Sequence, residues 1–122
     1  MTDDHTLRLL VETYLAAFAT PVPVEQERLL RASVADHIAY SNPGASGSGL
    51  HNLLAHIGGF QRKFAGGRFR LNWLRAQHGQ GLAEWTQLDA QGQEVLTAHS
   101  YVRVNEAGQL THWAGFWSAG AV

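Results

Sequence analysis

At 122 residues, 45% of them hydrophobic and 16% charged, the chain is long enough for one cored domain over residues 1–122 and too apolar to be a disordered one. Nine basic and ten acidic residues leave a net charge of −1, and the arginines are scattered from Arg8 to Arg103, which excludes the clustered basic excess of a nucleic-acid binder. The lack of cysteine excludes disulfides and thiolate metal sites; with no apolar run near the roughly 20 residues a bilayer demands and an acidic Met-Thr-Asp-Asp start, a soluble cytoplasmic protein is expected.

Leu7, Leu10, Val11, Tyr14, Leu15 and Phe18 form one stripe at helical spacing, with Thr2 or Asp3 as the cap. Thr20-Pro21 ends this helix, and Pro23 opens a second, shorter one that turns Leu29 and Leu30 inward. From Asp36 to Asn42 the pattern alternates, Ile38 and Tyr40 against His37, Ala39 and Ser41, as in a short strand ended by Pro43. Asn42 to Gly49, rich in proline, glycine and serine, reads as a loop.

Ser48 is the expected cap of a third helix with the stripe Leu50, Leu53, Leu54, Ile57, Phe60 and Phe64. Gly58-Gly59 interrupts it, as where a helix packs closely, and Gly66-Gly67 ends it. Beyond Gly67 the chain reads as strands: Arg68–His78, Leu82–Asp89, Glu94–Val104 and Gln109–Ser118. Hairpin turns fall at Ala90–Gly92 and Asn105–Gly108. The predicted class is α+β, with three N-terminal helices on a strongly curved antiparallel sheet, a cone-like barrel with an internal pocket.

Turn positions sort the side chains of this meander. Centring the last turn on Asn105–Gly108 sets Ser100 opposite Trp113 and Tyr101 opposite His112. Centring the previous turn on Gln91-Gly92 puts Trp85 on the Ser100 side and Glu84 with His99 and Tyr101. One face then carries Trp85, Gln87, Ala98, Ser100, Val102, Trp113, Gly115 and Trp117. The other carries Glu84, Thr86, His99, Tyr101, Arg103, His112 and Phe116. The tryptophan face is the more apolar and is expected to lie under the helices, although a one-residue slip exchanges the two sets. Three tryptophans suit a plain core, but Ala98 and Gly115 leave space between them, and Gln87, Ser100 and Asn42 bring polar groups to the same region. A pocket is therefore expected.

The layout of helix, helix, strand, helix and four-stranded meander resembles the nuclear transport factor 2-like superfamily, including ketosteroid isomerase and the SnoaL-like polyketide cyclases. The segments that carry the resemblance are Val11–Phe18, Ile38–Pro43, Gly49–Ile57 and Val104–Phe116, which together span nearly the whole chain. In ketosteroid isomerase an aspartate moves the proton while a tyrosine and a protonated aspartic acid stabilise the enolate. By position the tyrosine matches Tyr14, the aspartate before proline falls on Asn42, and the second aspartic acid falls on or beside Ser100. Asparagine accepts no proton near neutral pH, so only Tyr14 keeps its implied role. The resemblance also implies a homodimer through the outer sheet face.

Other chemistry is sparse. His51 and His56 are five apart, and no His-Glu-x-x-His or His-x-His occurs, so no metal and no cofactor is expected. His37, His99 and His112 belong to the outward face, and His78 to a strand end, where it is either solvated or at the pocket rim. Glu84 and His99 are cross-strand neighbours and read as an exposed pair, or as an acid–base dyad if the faces are exchanged. The expected function is binding of a small apolar ligand with a carbonyl or phenol, without nucleic-acid or membrane partners. The expected lining is Tyr14, Phe18, Tyr40, Asn42, Ile57, Phe60, Trp85, Ser100 and Trp113, with Tyr14, Asn42 and Ser100 as the polar, candidate catalytic groups. The alternatives are an isomerase or cyclase acting beside a carbonyl, with its base unplaced, and a pocketless association module.

Overall fold

A computed structural model describes residues 3–118. Asp3 opens α1 (Asp4–Ala19), its carboxylate accepting the Thr6 backbone N–H at 2.7 Å. That bond holds the Asp3 carboxyl below its ordinary pKa. Thr2, the alternative cap, lies outside the described residues. Asp4 ties the helix start to the sheet by accepting the Ala76 N–H at 2.7 Å. Pro23 sits in the first turn of α2 (Pro23–Arg31), where its missing N–H costs nothing.

Helix α3 (Leu50–Lys63) is capped by Gly49 and not by Ser48. Gly49 adopts φ 92°, a conformation that a side chain resists, while Ser48 belongs to a strand. The helix runs unbroken through Gly58-Gly59. A Cβ at either glycine would meet only the Arg62 guanidinium, so no close packing explains the pair. The buried Gln61 fixes the far end of α3: its amide nitrogen donates to the carbonyls of Phe18 and Gly67, holding α3 against the end of α1.

The strands are β1 (Val34–Asn42), β2 (Ala45–Ser48), β3 (Arg68–Gln77), β4 (Gln80–Leu88), β5 (Glu94–Val104) and β6 (Leu110–Phe116), in the order β2-β1-β6-β5-β4-β3. The segment expected as a loop is thus a hairpin: Pro43-Gly44 turns the chain, and Ala45–Ser48 pairs back on Ala39–Asn42. Because β1 runs parallel to β6, the sheet is mixed where an antiparallel one was expected, and it is curved but not closed into a barrel. The four-stranded meander β3–β6 is as expected. His78 and Gly79, both at positive φ, make the tight turn between β3 and β4.

Pairing on β4 and β5 is as the turn predicted, with Trp85 opposite Ala98 and Glu84 opposite His99. On β6 it differs: Ser100 faces Gly115, Val102 faces Trp113 and Arg103 faces His112. Asn105 bonds to Gln109, shortening the turn by one residue, and an irregularity between Arg103 and Val104 shifts the strand by one more. Two single shifts restore the original alternation, so the sorting into faces survives. Trp85, Ala98, Ser100, Val102 and Trp113 are buried; His99, Arg103, His112 and Phe116 are exposed.

Further irregularities fall between Leu71 and Trp73, between Gln87 and Leu88, and along β1 between Val34 and Ala39. The first two each insert one unpaired residue and the third three, and each bends its strand, which curves the sheet around the helices. Asn72, the extra residue on β3, is anchored from the convex side by donating to Glu84 at 3.1 Å and Thr86 at 2.9 Å. Thr86, expected on the solvent side, is in consequence buried beneath this contact and bonded to Thr97. Val11, Leu30, Ile38, Leu53, Ile57, Val102 and Leu110 form the core between helices and sheet. No helix among the described residues is long and apolar enough to cross a membrane.

Candidate functional site

Between α3 and the concave face of the sheet lies a cavity of about 580 Å³. Each element contributes through its own periodicity. Helix α1 supplies Tyr14 and Phe18, one turn apart, with rings 5.3 Å apart and edge-on. Helix α3 supplies His56 and Phe60, again four apart, and Lys63 at its end. Strand β4 supplies Trp85 and Gln87 from alternate positions, and β6 supplies Trp113 and Gly115 in the same way. Phe69 bridges the walls, 4.8 Å from Trp85 and 4.9 Å from Phe60.

Of the residues expected to line a pocket, Tyr14, Phe18, Tyr40, Asn42, Phe60, Trp85 and Trp113 do line the cavity. Ile57 does not: it is fully buried in the core, one position round the helix from His56. Ser100 does not either. It is fully buried beneath the wall, where its hydroxyl accepts the Trp85 indole N–H at 2.8 Å and is therefore committed to the protein. Gly115 opens the cavity as expected, whereas Ala98 is packed in the core. His78 lies in the β3–β4 turn, away from the rim.

Of the polar residues that border this space, Tyr14, Gln87, Asn42 and His56 bear on its chemistry. Tyr14, stacked on Trp113 at 4.2 Å, has a hydroxyl with no hydrogen-bond partner among the described residues. Burial, with the Tyr40 phenol nearby, pushes its pKa upward, so Tyr14 stays protonated and able to donate. Gln87 is 5% exposed, and its carboxamide makes no hydrogen bond among the described residues; Nε2 is an orphaned buried donor. Asn42 is partly committed: its side-chain oxygen accepts the Gly44 N–H at 2.8 Å, while its NH₂ donates to no described residue. His56 is half-buried, with its ring 5.5 Å from Tyr40 and 6.1 Å from Phe18.

His56 was missed in the sequence because it was weighed only against His51 as a metal pair. Its position three residues after Leu53 and four before Phe60 is the signal that places it on the inward edge of α3. The expected Glu84–His99 pair exists at 3.2 Å but stands on the convex face, with the His99 side chain 50% exposed, and is worth little. A second hollow, about 720 Å³ between α1 and the turns at Gly79 and Gly108, is shallow and offers no orphaned polar group.

Gly47, opposite Tyr40 on β2, sets the position of the Tyr40 ring. A Cβ there would stand 2.6 Å from the Tyr40 hydroxyl and 2.8 Å from Cζ, so the ring lies flat across the glycine. Gly47→Val is therefore expected to lift Tyr40 towards His56 and narrow the cavity. Thermal unfolding and ligand titration check this: ligand affinity should fall several-fold, with stability changing by about 1–2 kcal/mol.

No protein-family model and no curated protein matches the sequence. Solved structures do match in shape. An isomerase candidate of the SnoaL-like family from Agrobacterium tumefaciens superposes with a TM-score of 0.86 at 23% identity, over 94% of this chain and 99% of the other. A ketosteroid isomerase candidate from Kribbella flavida gives 0.73 at 16% identity, over 98% and 83%. A nuclear transport factor 2-like protein from Cytophaga hutchinsonii gives 0.69 at 12% identity, over 96% and 93%. Three helices on an open, curved, six-stranded mixed sheet match these neighbours over nearly the whole chain, and the fold of this chain is the nuclear transport factor 2-like fold.

Proposed function

We propose that the chain binds a small, largely apolar organic molecule bearing a ketone or phenol oxygen in the cavity beneath α3. The observation that carries this reading is Gln87. Gln87 borders the cavity and its buried Nε2 has no partner among the described residues; such an orphaned amide costs about 1–3 kcal/mol, and rotation of the carboxamide onto a ligand oxygen removes that cost. The Tyr14 hydroxyl offers a second donor, and the aromatic walls supply apolar area on every side. Neighbours of the same fold carry names of isomerases, which agrees with a carbonyl-bearing ligand, though a fold shared at such low identity does not fix a reaction.

Titration with 2-tetralone, an apolar bicyclic ketone, tests the proposal by tryptophan fluorescence, since Trp85, Trp113 and Trp117 border the cavity. Saturable quenching is expected. Tetralin, the same ring system without the oxygen, should bind about fivefold more weakly, as for one hydrogen bond. No saturable response to either compound refutes the reading.

A further inference from the structure

Among the described residues His56 is the one histidine that borders the cavity. Neither of its ring nitrogens has a hydrogen-bond partner among the described residues, and its orientation comes from the Tyr40 and Phe18 rings it packs against. Among the described residues the titratable groups that share the cavity are Tyr14 from α1, Tyr40 from β1 and Lys63 from α3 itself, and no carboxylate lines it. No ion pair with a described residue therefore holds the imidazole in its charged form, and burial moves its pKa down. At neutral pH the ring is uncharged and has a free lone pair.

We infer that His56 is the proton acceptor of an acid–base site, which removes a proton from the carbon beside the carbonyl of an apolar ketone. This rests on the cavity being the ligand site. Asn42 supplies no base, since its oxygen is held by Gly44 and an amide does not accept protons. In the step, the imidazole lone pair takes the α-proton and the C–H electrons become a C=C bond. The carbonyl π pair moves onto oxygen, where the Tyr14 hydroxyl and the Gln87 NH₂ are the available donors. The imidazolium then returns the proton to the same carbon or to a conjugated one. Nothing is oxidised or reduced.

The test follows exchange of the α-protons of 2-tetralone in D₂O by NMR, with binding followed in parallel by fluorescence. The whole chain should accelerate exchange well beyond free imidazole at equal concentration. The rate should rise with pH as His56 loses its proton and then level off, with its midpoint below the ordinary histidine value of 6.5, because the pKa is lowered. His56→Phe keeps an aromatic ring beside Tyr40 and should lower exchange by about 10²–10⁴-fold while 2-tetralone still quenches fluorescence. Added imidazole should restore part of the rate to His56→Ala, which a merely structural role would not allow. Exchange unchanged in His56→Phe, or bound 2-tetralone that does not exchange, overturns His56 as the base and leaves the binding reading standing. Failure of 2-tetralone to bind overturns both.

Discussion

Gln87→Met is expected to stabilise the ligand-free protein by about 1–3 kcal/mol and, in the same molecule, to weaken 2-tetralone binding about five- to tenfold. The two side chains are similar in length and volume, so the cavity wall between Phe69 and Leu96 keeps its shape. What changes is the orphaned amide, which is 5% exposed and unbonded. Removing it relieves a desolvation cost in the empty protein and removes a hydrogen bond from the complex. Urea unfolding reads the first effect and fluorescence titration the second; tetralin, which has no oxygen, should bind as well as before or better. A variant less stable than the parent would mean that the amide has a partner inside the fold, and the proposed ligand site would lose its main support. Opposed signs are the signature of a group kept for binding at a cost in stability.

Much of the fold was legible because local rules agree with one another. The stripe from Leu7 to Phe18, the proline at the start of α2 and the turn signals of the meander each mark an element that the structure contains. Ala45–Ser48 was not legible: four small residues have no alternation to read, and they become a strand only because Ala39–Asn42 offers an edge to pair with. The parallel contact of β1 with β6 was hidden for a related reason. It joins segments more than 70 residues apart and leaves no mark on either one alone.

The site was legible in its walls and illegible in its polar centre. Aromatic residues at inward positions announce themselves by periodicity, as Tyr14, Phe18, Phe60, Trp85 and Trp113 did. Whether a polar side chain is free depends on its partners, which only the fold reveals. Ser100 and Gln87 share a sheet face, yet Ser100 is bonded to Trp85 while the Gln87 amide has no partner among the described residues. Asn42 likewise reads as a replaced base, but its oxygen is spent on the turn that starts β2.

Trp113→Ala should cost about 3–5 kcal/mol, while Phe116→Ala, three residues along the same strand, should change stability by no more than about 0.5 kcal/mol. Trp113 is 7% exposed, stacks on Tyr14 at 4.2 Å and stands beside Tyr40 across the β1–β6 pair. Its truncation removes a large apolar contact and leaves a void that joins the existing cavity, with Tyr14 losing the ring that fixes its hydroxyl. Phe116, at 61% exposed, points to the convex side and has little to lose. For a domain of this size the first change should lower the melting temperature by more than about 10 °C and the second by no more than a few degrees. The comparison tests the face assignment that strand alternation alone supplies. Equal losses, or a larger loss at Phe116, would mean that β6 presents its other face to the helices, which would put His112 inside and Trp113 out.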